Sequence, residues 1–184
     1  YFENLQISAC KYCIILQGST QAVAVTKFKG GYSKDNDKIA FYSTLSNNVE
    51  FDNFYFAAYG GNAIRIENDG TVDTQLLSFR DCWITAEGTT FTGGYVIVIK
   101  STTTIVRKVN IIFDNCLISG GMTDNHLIYL YYVDGVTFRN GLFSSVKSGY
   151  NVFTIDNAVF KLESPKYYNT PTTPLTENSG TACV

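Results

Sequence analysis

The chain has 184 residues, of which 16% are charged and 15% aromatic, and a formal net charge of -2. Scarce charge together with abundant aromatic residues excludes an intrinsically disordered chain. The absence of a Lys/Arg cluster argues against a nucleic-acid partner. The longest apolar run, 127–133, is too short to cross a bilayer, so we expect no membrane insertion.

A six-residue pattern recurs along the chain: an apolar residue, any residue, Asn or Asp, two further residues, and a second apolar residue. It occurs at 2–7, 51–56, 79–84, 113–118 and 138–143, with a degenerate copy at 23–28. A match at 155–160 follows its predecessor too closely, and we treat it as out of phase. Between the copies lie β-favouring runs at 13–17, 39–43, 63–67, 95–99, 127–131 and 151–155. No apolar pattern of helical period accompanies them, which predicts an all-β chain.

The repeat predicts a single-stranded right-handed parallel β-helix, a solenoid of about six coils of three short strands. The first motif position and the residue two before it should point inward and form a continuous Phe stack. These residues are Val49, Phe51, Leu77, Phe79, Ile111, Phe113, Val136 and Phe138. The Asn or Asp at the third position should occupy a tight corner, where stacked amides bond neighbouring coils. Asp81 interrupts this ladder unless a donor faces it.

The cysteines do not form a recognisable metal site. Cys10 and Cys13 make a lone C-x-x-C in a chain with a single His, so we expect neither a metal site nor a cofactor. Cys82 and Cys116 should stack on successive coils, where a disulfide is geometrically allowed and two free core thiols are the favoured reading.

We expect two regions, a β-helix domain over 1–163 and an extended C-terminal tail or linker over 164–184. The second region contains all three prolines and lacks alternation. Such a tail would either cover the last coil or lead to another domain. Because the chain begins with Tyr, we also expect it to be a piece of a longer protein.

The phrases Phe113-Asp-Asn-Cys-Leu-Ile-Ser, Asp134-Gly-Val-Thr-Phe-Arg-Asn-Gly and Ala63-Ile-Arg-Ile-Glu-Asn-Asp-Gly resemble the pectin-lyase-like β-helix superfamily. They are most similar to its bacteriophage tailspikes and capsular polysaccharide depolymerases. The resemblance implies a homotrimer in a virion tail, assembled in the host cytoplasm, that binds bacterial capsule or O-antigen. The catalytic motifs of the polygalacturonase and pectate-lyase branches do not occur, so depolymerisation stays open. Two alternatives are a purely structural trimeric stalk and a secreted, monomeric bacterial lyase or glycosidase.

The outward positions carry the candidate binding residues. Tyr55 and Trp83 stand at the fifth motif position, with Gln6, Leu117 and Leu142 in the same column. Tyr55 and Trp83 should either stack on sugar rings or pack between subunits. The second family of strands should point Arg65, Ile97, Tyr129 and Phe153 outward, with Glu67, Ile99 and Tyr131 two positions on. We therefore take as candidate substrate-binding residues Trp83, Tyr55, His126, Arg65 and Tyr129.

A catalytic pair of carboxylates can also be proposed from the loops. Glu87 on one coil and Asp124 on the next, with His126, should lie near Trp83, where they would act as general acid and base. Glycoside hydrolysis needs two carboxylates about 5 to 9.5 Å apart, a range that one or two coil spacings provide. The alternative is that both are ordinary solvated loop carboxylates.

Overall fold

The strands of the computed structural model follow one another closely along the chain. The structure describes residues 1–17, 26–36, 38–44, 48–68, 76–87, 94–120, 126–144 and 151–168, and the backbone of 175–179 and 182–183. Its strands are β1 Phe2–Ser8, β2 Tyr12–Gln17, β3 Thr26–Asn36, β4 Ile39–Thr44, β5 Val49–Asp52, β6 Tyr55–Ala58, β7 Ile64–Asn68, β8 Leu76–Arg80, β9 Trp83–Ala86, β10 Tyr95–Ser101, β11 Arg107–Asp114, β12 Leu117–Ser119, β13 His126–Tyr131, β14 Val133–Arg139, β15 Leu142–Ser144, β16 Phe153–Asp156, β17 Val159–Glu163, β18 Lys166–Tyr168, β19 Leu175–Ser179 and β20 Ala182–Cys183. Within these ranges all regular structure is β, which confirms the predicted class.

The strands stack in parallel, each on the equivalent strand of the next turn. A seven-stranded sheet contains β2, β4, β7, β10, β13, β16 and β19. A thirteen-stranded sheet has two arms joined through the long strands β1 and β3. Its first arm continues through β5, β8, β11, β14, β17 and β20, and its second arm through β6, β9, β12, β15 and β18. The chain is thus a parallel β-solenoid, as expected. The five turns from β5 to β19 have three separate strands each, whereas β1 and β3 each run through both arms. The right-handed winding of the solenoid stays a prediction.

Phenylalanine rings form a continuous stack inside the first arm. Successive ring centroids lie 5.0, 4.5, 5.4, 4.7 and 4.9 Å apart along Phe2, Phe28, Phe51, Phe79, Phe113 and Phe138. The predicted companions Val49, Leu77, Ile111 and Val136 are buried beside it. The stack is confirmed, but the degenerate repeat copy at 23–28 is wrong. Phe28 itself is the first position of that coil, since it pairs with both Phe2 and Phe51.

The corner between the two arms has left-handed backbone on each turn. The φ angle lies between 52° and 54° at Asn4, Asn53, Asp81, Asn115 and Asn140. Gly30 takes the same place with a φ of 64°, and Ser164 with a φ of 50°. Asn and Gly tolerate this conformation better than other residues. The donor that Asp81 requires is Asn115, whose Nδ2 donates to Oδ1 of Asp81 at 2.5 Å.

Charges of alternating sign run along the outer surface of the first arm, directly before the corner. Successive register partners in this charge column are Glu3, Lys29, Asp52, Arg80, Asp114, Arg139 and Glu163. Arg139 illustrates the pairing, with nitrogens 2.9 Å from Glu163 and 3.8 Å from Asp114. Single exposed pairs contribute little to stability. Each charge between Glu3 and Glu163 nevertheless has an oppositely charged register partner on both sides.

The cysteines and the C-terminal segment complete the description. Cys82 and Cys116 are buried free thiols, as favoured, and their Sγ atoms donate to the carbonyls of Phe51 and Phe79. Strand pairing continues past Glu163 into the segment for which we expected an extended tail. There β18, β19 and β20 pair in parallel with β15, β16 and β17.

Candidate ligand-binding site

The structure divides the predicted site residues between two surfaces. Tyr55, Trp83 and Glu87 lie on or beside the second arm. Arg65, Tyr129 and His126 belong to the seven-stranded sheet. Asp124 lies outside the described residues, so its position relative to Glu87 stays a prediction.

An outward column of side chains follows the second arm. Its register partners, in chain order, are Gln6, Tyr32, Tyr55, Trp83, Leu117, Leu142 and Lys166. The predicted fifth-position column is therefore confirmed. Sequence reasoning missed Tyr32, because it placed the second repeat copy five residues too early. Trp83 protrudes from this column, with half of its surface exposed.

The corner residues explain why Trp83 points outward. Asp81 turns the backbone with a φ of 52°, and Cys82 then enters the core. Because strand residues alternate between faces, Trp83 faces outward and Ile84 faces inward. Asn53, Phe54 and Tyr55 repeat this arrangement one coil earlier, so the two aromatic rings come together on the surface.

A shallow depression, the Trp83 cleft, lies around these rings. It has a volume of about 370 Å³, and its walls include Tyr32, Asn53, Tyr55, Asp81 and Trp83. The Tyr55 and Trp83 ring centroids are 4.9 Å apart at an angle of 43°. The rings form an apolar surface, and the Asn53 and Asp81 side chains add polar groups beside it. This combination suits a sugar, which has apolar C–H faces and a polar edge.

Glu87 fixes one wall of the Trp83 cleft. Its carboxylate accepts a hydrogen bond from the Tyr55 hydroxyl. Its backbone N–H donates to the Ala58 carbonyl at 2.9 Å, which anchors the residue directly after β9. Glu87 is half-buried rather than fully solvated. The structure thus gives this carboxylate a defined partner on the neighbouring coil.

On the seven-stranded sheet the predicted outward phase is partly wrong. The outward column contains Ile15, Tyr42, Arg65, Val98, Tyr129 and Thr154. Ile97 and Phe153, which we expected outward, are 0% and 1% exposed, and Ile99 is also buried. They pair with core residues of neighbouring turns. A strand that is apolar on both faces has no alternation from which its phase can be determined.

Arg65 belongs to a charged cluster built from three coils. Its Nε and Nη2 donate to Oε1 of Glu67 at 3.0 and 2.7 Å. Lys100 Nζ lies 3.1 Å from the same oxygen, and the Tyr42 hydroxyl donates to Oε2 of Glu67 at 2.7 Å. Burial alone would raise the pKa of Glu67, but the hydrogen bonds from Tyr42, Arg65 and Lys100 hold it below its ordinary value. Burial, with the contact to Glu67, raises the pKa of Tyr42 to about 12.

His126 and Tyr129 lie in an aromatic cluster further along the same sheet. Tyr95 stacks on Tyr129 with centroids 4.9 Å apart, and its ring is 5.2 Å from that of His126. Nδ1 of His126 accepts a hydrogen bond from the backbone N–H of Asn151 at 3.0 Å. Burial lowers the pKa of His126, and it raises that of Tyr129 to about 12 together with the charge of Asp156. These contacts place both residues with the seven-stranded sheet.

The described ranges contain no group of three or more His, Cys, Asp and Glu side chains arranged to hold a metal ion. They also contain no helix long and apolar enough to span a membrane. Comparison of the chain with family models, curated proteins and solved structures gave no match.

Proposed function

We propose that this solenoid binds bacterial surface polysaccharide, capsule or O-antigen, and that a sugar ring stacks in the Trp83 cleft. The observation that supports this most directly is the half-exposed Trp83 ring beside Tyr55, over a depression with polar groups at its edge. An isolated exposed aromatic residue needs no explanation, but two joined rings in a depression form a platform.

The contact between Tyr55 and Glu87 makes the platform rigid before a ligand arrives. A ring that is already held loses little conformational entropy on binding, and this improves affinity. Buried Trp and Tyr anchors commonly contribute about 2 kcal/mol or more to a binding interface. We therefore expect Trp83 to account for roughly a thirtyfold change in Kd.

We further propose that the chain acts as a homotrimer within a virion tail. The support is the sequence resemblance stated above, together with the adjacent exposed apolar side chains of Ile105 and Val106, which lie outside the lining of the Trp83 cleft. Association through these side chains would leave the Trp83 ring open to a sugar.

The experiment uses the fact that Trp83 is the only tryptophan of the chain. Its fluorescence therefore reports on the cleft alone, and a panel of purified capsules and O-antigens can be titrated against it. Calorimetry on Trp83→Ala should show at least a thirtyfold loss of affinity for a polysaccharide that changes the fluorescence. Leu142→Ala is the matched control, since it lies two coils away in the same column and should bind as the native chain does.

The exposed apolar column also favours a second candidate, a structural stalk that only holds three chains together. Sedimentation of the same variants separates the two functions. If Trp83→Ala abolishes trimerisation and no polysaccharide changes the native fluorescence, the stalk is correct and the sugar platform is wrong. A native chain that sediments as one species of about 20 kDa would instead contradict the trimer.

A further inference from the structure

A second depression, which we call the Arg65 pocket, lies on the seven-stranded sheet. It has a volume of about 420 Å³ and is lined by Tyr12, Ile15, Ile39, Tyr42, Arg65 and Glu67. These side chains come from the three neighbouring strands β2, β4 and β7. Tyr12 and Ile15 are 44% and 47% exposed, so their apolar surfaces are accessible. The pocket combines an aromatic and aliphatic wall with a guanidinium group.

Arg65 is held in place by its contacts with Glu67. Among the described residues its hydrogen bonds all go to Glu67 and use Nε and Nη2, so Nη1 has no partner within that part of the chain. The side chain keeps 34% of its surface exposed. A guanidinium fixed along one edge offers its remaining N–H groups in a defined direction, as recognition of a planar anion requires.

The charges around the pocket favour an anion. Arg65 and Lys100 both contact Glu67, which leaves one positive charge in excess when the carboxylate is ionised. Both carboxylate oxygens of Glu67 are engaged, since Tyr42 donates to the second one. Lys38 adds a further cation 6.0 Å from the centre of the Tyr12 ring. Among the described residues, the pocket thus has an excess of positive charge beside an apolar wall.

We infer that the Arg65 pocket binds the carboxylate of an acidic sugar residue, a uronic acid, while the sugar ring lies against Tyr12 and Ile15. The inference deepens the proposed polysaccharide binding and rests on it, because it assigns an acidic composition to the glycan. A neutral sugar of the same shape would offer Nη1 of Arg65 only an uncharged hydroxyl oxygen in place of the carboxylate. Hydrogen bonds between ionised groups are roughly twice as strong as neutral ones, so the site should prefer the acidic sugar.

The test compares methyl β-D-glucuronide with methyl β-D-glucoside, which differ in the carboxylate. Binding of each to the full chain is followed by saturation-transfer NMR and titration. We expect at least a tenfold preference for the glucuronide, equivalent to one charge-assisted hydrogen bond, and a smaller preference as salt is raised. Arg65→Gln should abolish the preference. Arg80→Gln, an exposed arginine of the first arm, is the matched control and should retain it.

Tyr12→Ala provides a second variant in case Arg65→Gln disturbs the fold, since the Tyr12 side chain is exposed. It should weaken binding of both glycosides and leave the preference between them unchanged. Equal binding of the two glycosides to the native chain overturns the inference, and so does a preference that survives Arg65→Gln in a folded protein.

Failure of the inference can be told apart from failure of the proposed function. If the glycosides bind equally while a polysaccharide still changes Trp83 fluorescence, the Arg65 pocket is wrong and polysaccharide binding stands. If no polysaccharide changes that fluorescence, the proposed function fails, whatever the glycosides show.

Discussion

The left-handed corner at Asn115 can be tested by separating its backbone conformation from its hydrogen bond. The residue has a φ of 53°, and its Nδ2 donates to Asp81 at 2.5 Å. Alanine in this conformation costs roughly 1–2 kcal/mol, and loss of an exposed bond to a carboxylate about 1 kcal/mol. Asn115→Ala should therefore lower the free energy of unfolding by about 2–3 kcal/mol. Asn115→Gly also loses the hydrogen bond, but glycine adopts the left-handed conformation without the steric cost that alanine has. Glycine gives the unfolded chain more conformational freedom, and this offsets part of its advantage over alanine.

We expect Asn115→Gly to be more stable than Asn115→Ala by about 1 kcal/mol, measured as a shift of the urea midpoint at constant m. Asn140 is the matched control, with a φ of 52° and a longer bond of 3.4 Å from Nδ2 to Asp114. Asn140→Gly should be more stable than Asn140→Ala by the same amount. Each of these variants should lose less free energy of unfolding than the corresponding variant of Asn115. If Ala is as stable as Gly at both positions, the left-handed corner does not limit stability and the reasoning is wrong.

Three further predictions concern the core, the charged cluster and catalysis. Phe79 stacks between two rings whose centroids lie 5.4 and 4.7 Å away, so Phe79→Leu should lower the free energy of unfolding in urea by about 1–3 kcal/mol. Phe2 is half-exposed and has one such neighbour, so Phe2→Leu should lower it by less than about 1 kcal/mol. Equal losses for the two variants would contradict a cooperative stack. Because the folded pKa of Glu67 lies below its ordinary value, its contribution to stability is complete above the unfolded pKa of about 4.5 and is lost as pH falls through the folded pKa. Glu67→Gln should flatten that part of the stability profile, and an unchanged acid slope would exclude Glu67 as its source. If the chain depolymerises its glycan, Glu87→Gln should reduce reducing-end release by orders of magnitude, while unchanged release removes Glu87 from the catalytic pair.

The fold could be predicted wherever a strand has one polar face. In β5 and β8 the inward Phe51 and Phe79 alternate with polar residues, so both the phase and the outward Trp83 column followed from the repeat. In β10 the run from Tyr95 to Ile99 is apolar on both faces, and its phase is set by pairing with neighbouring turns instead. Local sequence does not contain that information.

The second coil carries a copy of the six-residue pattern that differs from the others at the corner position. Phe28, Gly30 and Tyr32 occupy the first, third and fifth motif positions, with glycine in place of asparagine. Since both residues tolerate a left-handed backbone, a pattern that accepts Gly at the corner would have found this copy and the Tyr32 wall of the cleft.

The Arg65 pocket was beyond sequence reasoning for a different reason. Arg65 and Glu67 are near neighbours, but Tyr42 is separated from Glu67 by 25 residues, and Tyr12 lies on an earlier coil still. Loop length between coils varies, so spacing along the chain does not show which side chains meet on the surface. Register between turns determines that.

Because the charges in the charge column of the first arm alternate in sign, turns can be added or removed without bringing like charges together only in pairs. Deleting the turn that contains Arg80 would bring Asp52 next to Asp114, and duplicating it would place two arginines together. Removing two consecutive turns leaves the alternation intact. Lengthening or shortening this solenoid, by evolution or by design, should therefore be tolerated best in pairs of coils, even though its hydrophobic interior repeats with every coil.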